Sequence, residues 1–318
     1  MASITIHICS TKIARLARKG IFFIPGVLTF WCIWGIVTYS VYYFPDSDVD
    51  ISKPFLMQPQ LDCTGQSPKS TIITVISKAS NMIQRDTIRQ TWGSAEMQLE
   101  YNFTLYFLLG TEKGADIAKE LRIHGDVIQA DIVENYFHLT AKTVEAFKWM
   151  KLFCHKADYF LKIDDDVFFD LEFLKEVQGN KTYIPDEVIL GDCVFNVLPD
   201  RSSSKYGVSF DEYPFRQYPP YCGGPGYMMT LQTARAIYNK MLTTRMFKFE
   251  DVYIGIVASK LGFSVKGVKY FVHLFDKKKG NQDFLIRCSR VTHHLTPEDI
   301  LFYWDEVRNS KRFREDCV

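Results

Sequence analysis

From Ile21 to Phe44 the chain runs 24 residues without a single charge. At about 1.5 Å per helical residue this stretch reaches about 36 Å, enough to cross a hydrocarbon core of about 30 Å. Lys12, Arg15, Arg18 and Lys19 precede it, and Asp46, Asp48 and Asp50 follow it. The excess of cations on the N-terminal flank puts residues 1–20 in the cytosol and everything after the span on the far side of the membrane. Tyr42-Tyr43-Phe44-Pro45-Asp46 offers no small-residue cleavage site, so the sequence predicts an uncleaved signal anchor over 21–44. Residues 45–69 are rich in Pro, Asp, Ser and Gln and lack periodicity, the pattern of a flexible stem.

Beyond the stem the period changes. Thr71-Ile72-Ile73-Thr74-Val75-Ile76 is a β-branched run of the kind found in a buried parallel strand. Similar runs predict strands over Thr104 to Leu109, Val127 to Ala130 and Tyr159 to Ile163. Helical spacing fills the gaps over Gln84 to Trp92, Ala115 to Ile123 and Thr140 to Phe153. This β-α-β alternation is that of a Rossmann-like α/β sheet with flanking helices, in one domain over residues 70–318. Later segments read as α+β. A Pro- and aromatic-rich loop spans Tyr213 to Tyr221, and its rings argue against disorder. Helices are predicted to start at Glu250-Asp251, running to about Leu261, and at Thr296-Pro297, where Thr caps and Pro takes the first helical position.

Composition narrows the function. Lys+Arg number 38 and Asp+Glu 37, so no nucleic-acid partner is expected. Cys63, Cys154, Cys193, Cys222, Cys288 and Cys317 lie beyond the span. An even set in an oxidising lumen reads as disulfides of undetermined pairing. Asn102-Phe103-Thr104 and Asn180-Lys181-Thr182 are N-glycosylation sequons and agree with a luminal domain.

The candidate chemistry lies at the end of Tyr159-Phe160-Leu161-Lys162-Ile163, where Asp164, Asp165 and Asp166 follow in succession. A buried strand that delivers carboxylates to its C-terminal tip presents hard oxygen ligands in the crevice where α/β sheets bind substrates. Like charges so closely spaced need a cation or a proton between them. The triplet is therefore a candidate metal and phosphate site.

Several motifs in fixed order resemble the inverting β-1,3-hexosyltransferases of the β-1,3-galactosyltransferase family. They are Arg85-Asp86-Thr87-Ile88-Arg89-Gln90-Thr91-Trp92-Gly93, Lys162-Ile163-Asp164-Asp165-Asp166-Val167-Phe168, Tyr218-Pro219-Pro220-Tyr221-Cys222 with Gly226-Tyr227, and Phe249-Glu250-Asp251-Val252-Tyr253-Ile254-Gly255. Phe107-Leu108-Leu109-Gly110 and His124-Gly125-Asp126 also match, and the likeness covers roughly residues 70 to 310. It implies a GT-A nucleotide-sugar transferase fold, a UDP-sugar donor, a manganese-like divalent cation, a glycan acceptor on glycoprotein or glycolipid, and a Golgi membrane address with the catalytic domain luminal.

By the same resemblance Asp164 faces the nucleotide side with Asp165 beside it, and Asp166 binds the metal. His293 is the further metal ligand, with His294 as its rival, and Asp251 is the catalytic base. Glu250 is assigned to positioning or to an acceptor hydrogen bond. Arg85 and Arg89 lie four apart on one helical face and either contact the donor or hold local carboxylates. Trp92, Tyr221 and Tyr227 pack against sugar or base, or belong to the core. Pro225 stands where small or flexible residues are commoner in the family, and the region around Glu250 resembles the brainiac-like members that transfer N-acetylglucosamine. Galactose is ranked first by family label.

Overall fold

The computed structural model describes residues 44–59, 70–154, 156–180, 182–269, 271–274 and 288–309. The predicted cytosolic tail and all of the predicted anchor but Phe44 lie outside them. Among the described residues no helix is long and apolar enough to cross a membrane.

Strands β1 (Thr71–Ile76), β2 (Phe103–Thr111), β3 (Val127–Val133) and β4 (Tyr159–Asp164) alternate with helices α1 (Met82–Gln90), α2 (Ala95–Glu100), α3 (Ile117–His124) and α4 (Leu139–Phe153). A short β5 (Phe168–Phe169), α5 (Leu171–Gly179), β6 (Val188–Val194), β7 (Tyr221–Thr230), α6 (Leu231–Met241), α7 (Glu250–Leu261), β8 (Ser264–Gly267), β9 (Val272–Leu274), β10 (Val291–His293) and α8 (Pro297–Asn309) complete the chain. Seven strands form one sheet in the order β3-β2-β1-β4-β7-β6-β8, and β5-β10-β9 form a second, three-stranded sheet. The large sheet is parallel from β3 to β4 and turns antiparallel where β7 pairs with β4 and with β6.

Strand order reverses between β1 and β4, the point at which an open α/β sheet leaves a crevice beyond its strand tips. The aspartate triplet occupies that place. Every residue of β1 is buried because one face of the sheet packs on α4, α6 and α7 through Phe147, Phe160, Ile254 and Val257, and the other on α1 and α5 through Ile88, Leu161, Phe173 and Leu174. A strand covered on both sides has no polar face to alternate, and hence its unbroken apolar run.

Residues 44–59 correct the expectation of a stem. Phe44 is buried against Tyr213 and Phe247, with ring centroids 5.8 and 5.9 Å away. Asp46 accepts from Lys260 at 2.6 Å, and the Leu56 amide donates to the Gln129 carbonyl at 2.8 Å. A benzyl side chain in a protein core cannot also lie in a bilayer, so the folded domain begins at Phe44 rather than near residue 70. Low periodicity concealed this because the segment docks through a few single anchors rather than one continuous face.

Candidate active site

Lys162 lies within the apolar run of β4, where an ammonium must find buried partners or go unpaid. It finds three. Its Nζ donates to Asp164 Oδ1 at 2.7 Å and to the Gly224 carbonyl at 2.5 Å, and lies 3.6 Å from Glu250 Oε2. Three segments distant in sequence thereby converge on one charge: the aspartate turn, β7, and the first turn of α7. The position of Pro225 is explained by the same arrangement. β7 pairs with β4 only as far as Ile163 opposite Gly226, so Pro225 stands beyond the last paired position of that ladder, where its missing N–H costs no bond to β4. The disulfide Cys193–Cys222 joins β6 to β7 beside this extension.

Helix α7 is buried along most of its length. It approaches β7 so closely that a Cβ on Gly255 would stand 2.6 Å from Tyr221 Cβ and 2.8 Å from the Pro220 carbonyl. Only glycine fits there. The contact fixes the helix N-terminus, and with it Glu250 and Asp251, against the start of β7. Glu250 is 3% exposed and accepts from the Tyr227 hydroxyl at 2.5 Å. Burial, partly offset by Lys162, pushes its carboxyl up to about 7. With one oxygen held by Tyr227 and the other facing Lys162, the enclosed carboxyl suits the positioning role of its two expected ones. Asp251 is half-buried, accepts from the Val252 amide at 2.8 Å, and is raised by burial and in lesser part by Asp164, against which the Val252 amide and Lys162 act to lower it. Of the two carboxyls, Asp251 is the one with an open side.

The three aspartates have separate environments. Asp164 is bound to Lys162. Asp165 turns back into the protein, accepting from Ser77 Oγ at 2.6 Å and Asn81 Nδ2 at 2.9 Å. It therefore braces the turn rather than facing a donor. Asp166 is half-buried and pushed up to about 6 by burial and by Asp164 and Asp165. Pairing of β10 with β5 brings the histidines alongside, and the Leu295 amide donates to the Asp166 carbonyl at 3.1 Å. His294 takes a left-handed φ of 63°, and its Nδ1 lies 3.8 Å from Asp166 Oδ2. His293, the histidine preferred from sequence, remains in β10 with its ring centroid 4.4 Å from that of His294 and tilted by 36° to it. The backbone reversal at His294 brings its ring toward Asp166 beside that of His293, and sequence spacing does not register such a turn.

Among the described residues no three His, Cys, Asp or Glu side chains converge into a cation cage. An Asp and a His with the rest of the coordination sphere open still suit a divalent ion that takes its other oxygens from water and a diphosphate, as hard cations at phosphate sites commonly do. Asp166 would hold it, with His293 or His294 as the nitrogen ligand.

Arg85, Arg89 and Trp92 support the site from behind. Arg85 is fully buried, pairs in bidentate fashion with Glu120 at 2.6 and 2.7 Å, donates to the Ser77 hydroxyl at 3.0 Å, and bonds the Lys78 and Ala79 carbonyls. Arg89 binds Glu120, Asp86 and Asp126 at 2.7 to 2.8 Å. Of their two expected roles, the structure shows the holding of local carboxylates. Trp92 is fully buried and donates its indole N–H to the Val167 carbonyl at 3.0 Å, which fixes the exit of the aspartate turn. None of the three faces the crevice. Lys162 received no role from sequence reasoning, although a lysine inside a buried strand was itself a signal that a carboxylate waits nearby; Tyr227, expected against sugar or base or in the core, is fully buried and holds Glu250. The sequon residues Asn102 and Asn180 are both exposed, in the turn before β2 and at the end of α5.

Comparison with known proteins agrees with this geometry. Human beta-1,3-galactosyltransferase 5 is 32% identical over 281 residues, covering 83% of this chain and 85% of that protein. Human UDP-GalNAc:beta-1,3-N-acetylgalactosaminyltransferase 1 is 26% identical over 326 residues, covering 96% and 97%. Among solved structures the galactosyltransferase LgtC aligns at 11% identity and a TM-score of 0.37 over 77% of this chain and 98% of that one, a likeness too loose to carry an argument. The galactosyltransferase family model matches residues 83–269, a span that contains the aspartate triplet, Lys162, Tyr227 and Asp251, and the chain belongs to that family.

Proposed function

We propose that this protein transfers a hexosyl unit, galactose first, from a UDP-sugar to the 3-hydroxyl of an acceptor glycan on a glycoprotein or glycolipid, inverting it to a β-1,3 linkage on a GT-A fold. The observation that carries the reading is the convergence on Lys162, which sets the half-open Asp251 beside the aspartate turn. In that place Asp251 is suited to take the proton from the acceptor hydroxyl as its oxygen attacks the anomeric carbon on the face opposite the leaving UDP. The Asp164 side of the turn would receive the nucleotide. A divalent cation such as manganese, when bound by Asp166 and His293 or His294, supplies positive charge to the diphosphate as negative charge gathers on it. Glu250, held by Tyr227 and Lys162, keeps the first turn of α7 in place.

The relative that uses UDP-GalNAc supports an N-acetylgalactosaminyl donor as the second choice, and N-acetylglucosamine is the third. The uncharged stretch ending near Tyr43 and its basic flank support a type II Golgi membrane protein with the domain in the lumen. Purified full-length protein in detergent, given UDP-Gal, UDP-GalNAc or UDP-GlcNAc with manganese and a panel of glycan acceptors, should release UDP only with acceptor present at an appreciable rate. NMR of the product should show a β-1,3 linkage. An α linkage, or UDP release that no acceptor stimulates, would overturn the proposal.

A further inference from the structure

Two segments far apart in sequence meet beside Phe249, the residue that precedes α7. A 3-10 turn at Tyr136–His138 follows β3, and the long loop between β6 and β7 carries Lys205 and Tyr206. They meet side chain to side chain, with the Lys205 ammonium 4.0 Å from the Tyr136 ring centroid. Tyr206 packs 6.2 Å from Phe249, the residue immediately before Glu250 and Asp251. Large aromatic rings usually seek burial, yet Tyr136 is 43%, Phe137 50% and Tyr206 55% exposed. Three exposed rings in one place, fastened to each other and to the root of α7, make a surface built to be covered by something.

We infer that Tyr136 and Tyr206 form the acceptor subsite, each offering an aromatic face to the C–H face of the pyranose ring whose 3-hydroxyl is presented to Asp251. This assignment rests on the glycosyltransfer reading above. Burial, then Tyr206 and Asp251, with Asp164 last, hold the Tyr136 phenol above its ordinary value. It therefore stays protonated at neutral pH and can also hydrogen-bond a sugar hydroxyl. Lys205 covers part of the Tyr136 ring and fixes its tilt, so the cation acts as a positioning residue and the two tyrosines as the specificity-determining surface. A pyranose fits this chemistry because it combines an apolar face with a polar edge, as an aromatic wall beside a carboxylate demands.

The test compares transfer with hydrolysis in the full-length protein. Tyr136→Ala should raise the acceptor KM about tenfold, the size expected for one lost aromatic stacking contact at a desolvated site. UDP affinity and acceptor-independent UDP release should stay within about twofold. Tyr206→Ala should act in the same direction, and Tyr136→Phe, which keeps the ring, should recover most of the acceptor affinity. Lys205→Ala should raise the acceptor KM less than Tyr136→Ala and leave kcat unchanged, whereas a merely structural role would lower thermal stability with no KM effect. Because Tyr206 is more than half exposed, its variant keeps the test meaningful should Tyr136→Ala misfold. An unchanged acceptor KM in both alanine variants would overturn the inference while leaving transfer itself established. Absence of any transfer by the wild type would instead refute the functional reading.

Discussion

The Tyr227 hydroxyl donates to Glu250 Oε1 at 2.5 Å, and both groups are buried. Lys162 waits on the other side of the carboxyl at 3.6 Å. The carboxyl is pushed up to about 7 from an ordinary 4.5, so the folded protein holds a proton there that the unfolded chain has released. Between about pH 4.5 and 7 the native state then binds more protons, and this group's contribution to stability falls as pH rises through that window. Glu250→Gln, a neutral stand-in for the protonated acid, should flatten the response. Its melting temperature should drop less than that of the wild type between pH 5 and 7.5, and parallel slopes would refute the assignment.

Asp251→Asn should leave UDP affinity within about twofold and reduce turnover by two to four orders of magnitude, about what general-base removal costs. Steady-state transfer kinetics with UDP binding by calorimetry separate the two quantities. If UDP affinity collapses instead, or if turnover stays above about a tenth of wild type, the base lies elsewhere.

Much of this arrangement was legible in the chain, for physical reasons that differ by residue. The tips of β1 and β4 and the start of α7 at Glu250 follow from apolar runs interrupted by charge, since a buried strand or helix must change character where it meets solvent. The approach of His294 to Asp166 depends on one left-handed φ, and no side-chain pattern encodes it. The burial of Arg85 was equally hidden, because an i, i+4 pair of arginines looks the same whether it meets a ligand or an internal carboxylate such as Glu120. Phe44 read as the last residue of an apolar span because hydropathy does not distinguish a lipid environment from a protein core.

Asp166→Asn should lower transfer by at least about a hundredfold and abolish its dependence on added manganese, because an amide lacks the charge that a hard cation requires. His294→Ala should raise the manganese concentration needed for half-maximal activity more than His293→Ala does. The reverse order, read from metal titrations of the two variants, would return the ligand role to His293.

Phe44→Ala should cost the domain about 3 kcal/mol or more, the usual range for emptying a buried phenylalanine site. Thermal unfolding of the full-length protein in detergent reads this directly. A melting temperature equal to that of wild type would mean that the docked segment contributes nothing to the fold.

The three acceptors around Lys162 also divide the site into a part that can move and a part that cannot. Two of the three lie on other elements, so drawing α7 or the extension of β7 away from β4 would leave the buried ammonium with Asp164 alone, at a cost above thermal energy. Substrates must therefore enter without parting these elements. The freedom needed for admission and release falls to the exposed rings of Tyr136 and Tyr206, which can turn without disturbing the carboxylates beneath, since the loop that carries Tyr206 is itself held by Arg201 and Lys248.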